Sequence, residues 1–332
     1  MSSLPCADRM GRAITYLRVS VTDRCNLRCV YCMPAEGLPL QEHADILRYE
    51  EIARLVSIAA ELGIRRVRLT GGEPLARRGL TDLVRMLAGI PGVQDLSMTT
   101  NGSLLARYAA PLAEAGLTRV NISLDTLRPD RFRQITRCGE LAETLAGIEA
   151  ARRAGLEPVK VNMVVMRGLN DDEVVEMARR SLEQGWNVRF IEVMPLGEGA
   201  HWSGDGYVPI DEVRQAIEQA LGSLEPAELA GNGPARYYRW AHAPDAGTIG
   251  FISPISDHFC AYCNRLRLTA DGKLLPCLFG KQELDLRAAL RQGADDAALR
   301  DLFREAIAAK PRGHDAPDHV APGERLMSRT GG

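Results

Sequence analysis

The stretch Ile14-Thr15-Tyr16-Leu17-Arg18-Val19-Ser20-Val21-Thr22-Asp23-Arg24-Cys25-Asn26-Leu27-Arg28-Cys29-Val30-Tyr31-Cys32 decides the fold. Its first part alternates: in a strand over residues 14–21, Leu17, Val19 and Val21 share one face, and Arg18, Ser20 and Thr22 the other. The same pattern recurs downstream. Arg66, Arg68 and Thr70 oppose Val67 and Leu69, and Ser97 and Thr99 oppose Leu96 and Met98. Asn121, Ser123 and Asp125 oppose Ile122 and Leu124, and Lys160 and Asn162 oppose Val159, Val161 and Met163. Further strands are thus predicted at 65–70, 95–100, 119–125, 158–165 and 188–194. Helical patterns at 49–62, 80–88, 104–115, 142–154 and 171–183 lie between them, several stopping at a glycine (Gly63, Gly116, Gly155, Gly185). Regular alternation of this kind means parallel strands joined by crossover helices, an α/β fold. A parallel sheet covered on both faces reads as near-continuous apolar runs. A polar face in five strands instead predicts a curved sheet, apolar under its helices and polar around a wet cavity. Six strand–helix units then form an incomplete barrel. The alternative is a sandwich with one solvent-exposed face, which fits crossover helices less well.

With 332 residues and 45% hydrophobic side chains the chain can bury a sizeable core. Its character changes near residue 225, where Pro226, Gly231, Gly233 and Pro234 mark a loop. Short strands are expected at 237–240, 248–251 and 265–269, the last before an Asp271-Gly272 turn, and the tail from 311 is rich in Gly, Pro and charge. The expected division is an arm (1–13), the partial barrel (14–225) and a C-terminal region (226–332). Lys plus Arg number 41 against 43 Asp plus Glu, a net charge of −2, so there is no broad basic face for nucleic acid. No run approaches the ~18 apolar residues of a membrane helix. The N-terminal MSSLPCADRMGRAITYLRVS has no apolar core of a secretory signal. A soluble cytoplasmic protein is therefore expected, where disulfides are rare. Six of the eight cysteines lie in two tight groups, which points to metal; Cys6 and Cys138 stand apart.

Cys25, Cys29 and Cys32 follow the first strand with spacing C-x3-C-x2-C. Three thiolates within eight residues can wrap one metal core. A 4Fe–4S cube takes four ligands, so three cysteines leave one iron open. A structural zinc site wants four ligands, commonly in C-x2-C pairs, and no fourth Cys or His sits nearby. With the aromatic Tyr31 before the last cysteine, this motif resembles the signature of radical S-adenosylmethionine (SAM) enzymes. The resemblance implies that Cys25, Cys29 and Cys32 hold a 4Fe–4S cluster whose open iron chelates SAM, and that SAM yields a 5′-deoxyadenosyl radical. Thr70-Gly71-Gly72-Glu73-Pro74 after the second strand is similar to the motif this family uses for the SAM amino group. Tyr31, Gly72, Ser123 and Met194 fall at SAM-contacting positions by the same resemblance. Alone, Gly71-Gly72 reads as a turn where backbone approaches a ligand closely, Ser123 as an ordinary strand residue and Met194 as core.

Cys260, Cys263 and Cys277 repeat the theme as C-x2-C-x13-C. Zinc and iron–sulphur are both open here, because His258 could supply a fourth ligand. In Cys263-Asn264-Arg265-Leu266-Arg267-Leu268, a strand would set Arg265 and Arg267 on one face and the leucines on the other. Two guanidinium groups side by side repel unless an anion lies between them, and their forks suit phosphate oxygens.

Both groups together, with T-T-N-G, N-I-S-L-D-T-L, I-E-x-M-P, C-x2-C-N-R-L-R-L-T and a terminal Gly331-Gly332, resemble the GTP 3′,8-cyclase family of molybdenum cofactor biosynthesis over almost the whole chain. That resemblance implies an incomplete (β/α)6 TIM-type barrel of the radical SAM class, its mouth closed by a smaller C-terminal α+β region. It implies a second 4Fe–4S cluster on Cys260, Cys263 and Cys277 that holds the guanine end of GTP. Arg18, Arg68, Thr99, Lys160 and the run Arg265, Leu266, Arg267 fall at GTP-binding positions. Arg265, Arg267, Gly331 and Gly332 carry catalytic roles, the two glycines reaching back into the active site. Implied partners are a reductant such as flavodoxin or ferredoxin, a downstream cyclic pyranopterin monophosphate synthase, and a second copy if the protein is a homodimer rather than a monomer. Two rivals stand beside this: a radical SAM peptide modifier with an auxiliary cluster, and a non-catalytic zinc-binding protein.

Overall fold

The computed structural model describes residues 6–39, 41–230, 233–313 and 327–330 of the 332. Six parallel strands lie side by side in chain order: β1 (Tyr16–Ser20), β2 (Arg66–Thr70), β3 (Asp95–Thr100), β4 (Arg119–Ser123), β5 (Lys160–Val165) and β6 (Asn187–Glu192). Crossovers run through α1 (Tyr49–Glu61), α2 (Leu80–Ala88), α3 (Leu105–Glu114), α4 (Pro129–Thr136) with α5 (Leu141–Arg153), and α6 (Val174–Gln184). α7 (Ile210–Leu221) follows β6. Leu17, Val67, Leu96, Val120 and Val161 on the outer strand faces pack with the helices into one core. The inner face is polar and mostly buried: Ser20, Arg68, Ser97, Asn121, Lys160 and Arg189 are each shielded from bulk water.

The chain beyond residue 225 continues the barrel wall at both edges rather than forming a sheet of its own. On one side β10 (Arg265–Leu268) pairs parallel with β1, followed antiparallel by β11 (Lys273–Leu275) and β12 (Leu284–Asp285). On the other, β9 (Ile249–Ile252) pairs parallel with β6, followed antiparallel by β8 (Arg236–Trp240) and β7 (Leu224–Ala227). Pro226, a loop marker in the sequence, sits in β7, the outermost strand, where a missing N–H is tolerated. α8 (Leu286–Arg291) and α9 (Asp296–Ala308) cover the β10–β12 side, and the four-residue α10 is Met327–Thr330. Among the described residues no helix is long and apolar enough to cross a membrane.

The parallel register carries the functional consequence. One inward row crosses five strands as Arg267, Arg18, Arg68, Ser97 and Arg119. Like charges placed opposite one another in a sheet destabilise it. Three arginines side by side, Arg267, Arg18 and Arg68, with Arg119 beyond Ser97 already paired to Asp95, are therefore a fold prepared for anionic company.

Candidate active site

Both cysteine trios, the first after β1 and the second around β10 and β11 beside it in the sheet, line one cavity of about 300 Å³. The first trio follows β1. Its loop turns through Cys32 N–H to Cys29 O (2.9 Å) and Met33 N–H to Cys29 O (3.1 Å). Two glycines after β2 clamp it from beside. A Cβ on Gly72 would stand 2.3 Å from Arg24 O, and one on Gly71 2.6 Å from Thr22 O, where Gly71 also has φ +155°. Gly72 N–H donates to Thr22 O and Glu73 N–H to Arg24 O, both at 2.8 Å. The glycines are thus needed for contact with the cysteine loop itself, and not only for a ligand's approach. Cys25 Sγ accepts from Leu27 N–H (3.4 Å) and Asn101 Nδ2 (3.9 Å), the kind of hydrogen bonds that stabilise a metal-bound thiolate. Burial pushes Cys25 up to about 11, with Glu73 adding to the rise, and lifts Cys29 well above its ordinary value, with Cys32 and Asp125 adding to the rise.

Acids surround this trio. Glu73 accepts from Leu75 N–H (3.0 Å), Thr100 Oγ1 (2.7 Å) and Asn101 N–H (2.7 Å), yet burial outweighs these bonds and raises its pKa to about 7. Asp125 accepts from Tyr31 OH (2.7 Å) and Val164 N–H (2.9 Å), and burial raises it to about 6. Asp125 therefore fixes the tyrosine ring against the cavity. Tyr31, Gly72, Ser123 and Met194 all reach the wall.

The second trio is built differently. Cys260 opens a 3-10 turn (Cys260–Tyr262), Cys263 closes it ahead of β10, and Cys277 follows β11. Burial alone would push the Cys263 thiol up, but Arg265 and Lys310 outweigh it and hold it at about 6. His258 turns Nδ1 to Pro254 O (2.8 Å). Among the described residues no three His, Cys, Asp or Glu side chains converge on one ion's position. Three sulphurs spread over a cavity wall suit a larger inorganic core, and the donor set fits iron–sulphur clusters.

Arg18, Arg68, Thr99, Arg265 and Arg267 are brought together on this wall. Burial weakens the hold of Arg267 on its proton to about 10, with Arg265 beside it, and does the same for Arg68. Arg68 donates to Ser97 Oγ (3.1 Å) and Arg265 stacks 4.8 Å from the Phe259 ring centre. Two expected contacts are not on the wall. Leu266 faces the core, fully buried opposite Leu17, because strand alternation turns it away from its arginine neighbours. Lys160 lies beneath the cavity, its Nζ bonded to Ala230 O and 5.0 Å from the Tyr237 ring centre. Gly331 and Gly332 lie outside the described residues, but Met327 lines the cavity and Thr330 O accepts from Arg267 at 3.4 Å.

The structure adds residues that the sequence reading passed over. Arg189 lines the cavity and donates to Asn162 Oδ1 at 2.7 Å; its strand carries the same alternation and could have been read. Lys310 joins the second trio from a position after α9, with no local signal. Glu192, in I-E-x-M-P, is a buried hub: it accepts from Tyr207 OH (3.0 Å), Ile210 N–H (3.1 Å), Ile255 N–H (3.0 Å) and Ser256 N–H (3.1 Å), tying the loop before Cys260 to β6. Tyr16 OH, Thr70 Oγ1, Arg119 Nη1 and both amide atoms of Asn121 are buried without a partner, orphans of the kind an inward ligand or water satisfies.

Residues 19–180 match the Radical SAM superfamily and residues 186–316 match Molybdenum Cofactor Synthesis C. The GTP 3′,8-cyclase of Heliobacterium modesticaldum is 54% identical over 327 residues, spanning 98% of this chain and 99% of that one. Those of Pelotomaculum thermopropionicum and Moorella thermoacetica are 54% and 52% identical over 329 residues, with the same coverage. Among solved structures, Streptococcus suis SuiB bound to precursor peptide SuiA superposes with a TM-score of 0.59 at 14% identity, over 89% of this chain and 68% of that one. Hexahistidine-tagged anSMEcpe with bound AdoMet gives 0.56 at 14%, over 91% and 79%. At such low identity these two share the fold alone.

Proposed function

The chain belongs to the GTP 3′,8-cyclase family within the radical SAM superfamily, and on that footing we propose how its cavity performs the family's reaction. The protein is an enzyme that uses SAM to cyclise GTP to (8S)-3′,8-cyclo-7,8-dihydroguanosine 5′-triphosphate, an early step of molybdenum cofactor biosynthesis. In our reading Cys25, Cys29 and Cys32 hold the SAM-binding 4Fe–4S cluster, and Cys260, Cys263 and Cys277 hold a second. Once bound, the first cluster supplies the electron that cleaves SAM and so starts hydrogen removal from the ribose 3′ carbon. The protein's own part is positioning. Tyr31, oriented by Asp125, with Gly72, Ser123 and Met194, holds SAM beside the first trio. Arg18, Arg68, Arg189, Arg265 and Arg267 hold the nucleotide, whose triphosphate brings about four negative charges to guanidinium forks. Thr99 adds a hydroxyl donor and Lys160 a charge from below. Catalytic roles for Gly331 and Gly332 belong to the same proposal, supported by the contact between Arg267 and Thr330 O, the residue before them.

The observation that carries this reading is that six cysteines and four of the arginines picked out in the sequence face one cavity. A flavodoxin or ferredoxin as reductant and cyclic pyranopterin monophosphate synthase as the next enzyme belong to the same proposal. The test is anaerobic incubation of reconstituted protein with SAM, GTP and dithionite. Expected are about eight irons per chain, 5′-deoxyadenosine and the cyclised nucleotide. A preparation with only one cluster that still cyclises GTP would sink the second site, and 5′-deoxyadenosine without any nucleotide product would sink the assignment of GTP to this cavity.

A further inference from the structure

Lys310 lies two residues past α9 and is buried, 6% exposed, on the cavity wall. Its Nζ donates to Arg265 O at 2.7 Å and to Pro276 O at 2.8 Å. The first carbonyl is two residues beyond Cys263 and the second is immediately before Cys277. The ammonium thus bridges the backbone of the two arms that carry Cys263 and Cys277. Two of the three donors of the lysine are thereby engaged at the second trio. A buried ammonium is costly unless an anion accompanies it. The groups that favour its charge here are the Cys263 and Cys277 sulphurs, while Arg265 opposes it.

The segment carrying Lys310 is itself latched to the third cysteine. Arg12 donates to Pro311 O (2.6 Å), Arg312 O (3.3 Å) and Cys260 O (2.6 Å), and Asp8 holds Arg12 through its Nε at 2.6 Å. The root of the C-terminal tail and all three arms of the trio are thus one hydrogen-bonded unit.

We propose that Lys310 is a positioning residue of the second cluster: it sets the spacing of the Cys263 and Cys277 arms and offsets the negative charge of their metal-bound thiolates. The inference rests on the reading of Cys260, Cys263 and Cys277 as cluster ligands. Net charge and hydrogen bonds to sulphur set the potential of an iron–sulphur cluster. Removing a cation beside the cluster's sulphurs makes reduction harder. An arginine keeps the charge but offers a planar fork in place of three radiating donors, so it restores the electrostatics better than the spacing.

The test uses the full chain with Cys25, Cys29 and Cys32 replaced by alanine, so that only the second site can hold iron. Lys310→Met and Lys310→Arg are added to this parent, and iron, sulphide and the EPR-monitored midpoint potential are measured anaerobically. The expected result is a potential more negative than the parent's in Lys310→Met, moved back toward it in Lys310→Arg. Equal iron content and equal potential in parent and Lys310→Met would overturn the inference alone. If Lys310→Met retains no iron, recovery in Lys310→Arg supports the charge argument and an empty Lys310→Arg overturns it. A parent that binds no iron overturns the cluster reading, and this inference with it.

Discussion

Around the first trio, burial raises the Cys25 and Cys29 thiols; Glu73 and Asp125, themselves raised to about 7 and about 6, add to the rise, and Arg28 only partly offsets it at Cys25. Around the second, Arg265 and Lys310 overcome the same burial and hold Cys263 at about 6. Two trios with the same donor atoms thus sit in opposite fields. The difference tracks what each is read to face. A sulphonium cation is at ease beside carboxylates, and a triphosphate beside guanidinium groups. The cavity is therefore polarised from one cysteine loop to the other, and the arginine row of β10, β1 and β2 marks where the sign changes.

Removing each trio in turn tests that division most severely. Alanine at Cys25, Cys29 and Cys32 is expected to bring both 5′-deoxyadenosine and cyclised nucleotide to background. Alanine at Cys260, Cys263 and Cys277 is expected to abolish only the nucleotide product, leaving SAM cleavage with dithionite. Equal loss of both products in the two variants would break the comparison.

A subtler cut at the first side is Gly72→Ala. The new Cβ would meet Arg24 O at 2.3 Å, and relief requires opening the bonds that Gly72 N–H and Glu73 N–H make to the cysteine loop. Backbone cannot yield as a side chain can, so a cost of about 1–3 kcal/mol is expected. The prediction is loss of roughly half the iron, about four per chain, with the second cluster's EPR signal kept and SAM cleavage gone. Full iron content would show that the loop tolerates the displacement.

The first trio was more legible than the second, for a physical reason. Its partners follow strands that the alternation locates: residues 95–100 match β3 without a shift, 65–70 ends with β2 at Thr70, and 119–125 runs two residues past the end of β4 at Ser123. Cys25, Cys29, Cys32, Tyr31 and Gly72 act through short-range loop geometry. The second trio depends on Lys310, 45 residues from Arg265 and 34 from Pro276, and on Arg12, 248 residues from Cys260, and no local pattern announces such contacts. The loss of α4 and α7 from the reading has another cause. Pro129 at the first turn of α4 is a start signal, and Ile210, Val213, Ile217 and Leu221 in α7 keep helical spacing, so both were readable.

On the second side, Arg267→Ala removes a charge-assisted contact and leaves the cysteines untouched. Hydrogen bonds to charged groups are worth about 1.5–3 kcal/mol. The KM for GTP should rise about 10- to 100-fold by that measure, with SAM cleavage in the absence of GTP unchanged. A KM within twofold of the parent's would detach Arg267 from the nucleotide.

The smallest effect on turnover, and the most informative about charge, is expected at Lys160. Burial lowers it to about 6, helped by Arg189, Arg119 and Arg68. The unfolded chain binds its proton up to the ordinary value of 10.5, the native protein only below about 6. Native stability therefore rises with pH across that window, and the burial penalty is complete below it. Lys160→Met escapes the penalty, so without GTP it should melt higher than the parent at pH 7. The gap should widen as pH falls toward 6 and close toward 10. A nearby triphosphate favours the charged form, so at pH 7.5 GTP binding to the parent should take up as much as one proton. Calorimetric titration in two buffers of different ionisation heat reads that uptake directly. The methionine variant should lose it while keeping a few-fold weaker affinity. Unchanged proton uptake in the methionine variant would detach Lys160 from the nucleotide's charge, and the polarity of the cavity would then rest on guanidinium groups alone.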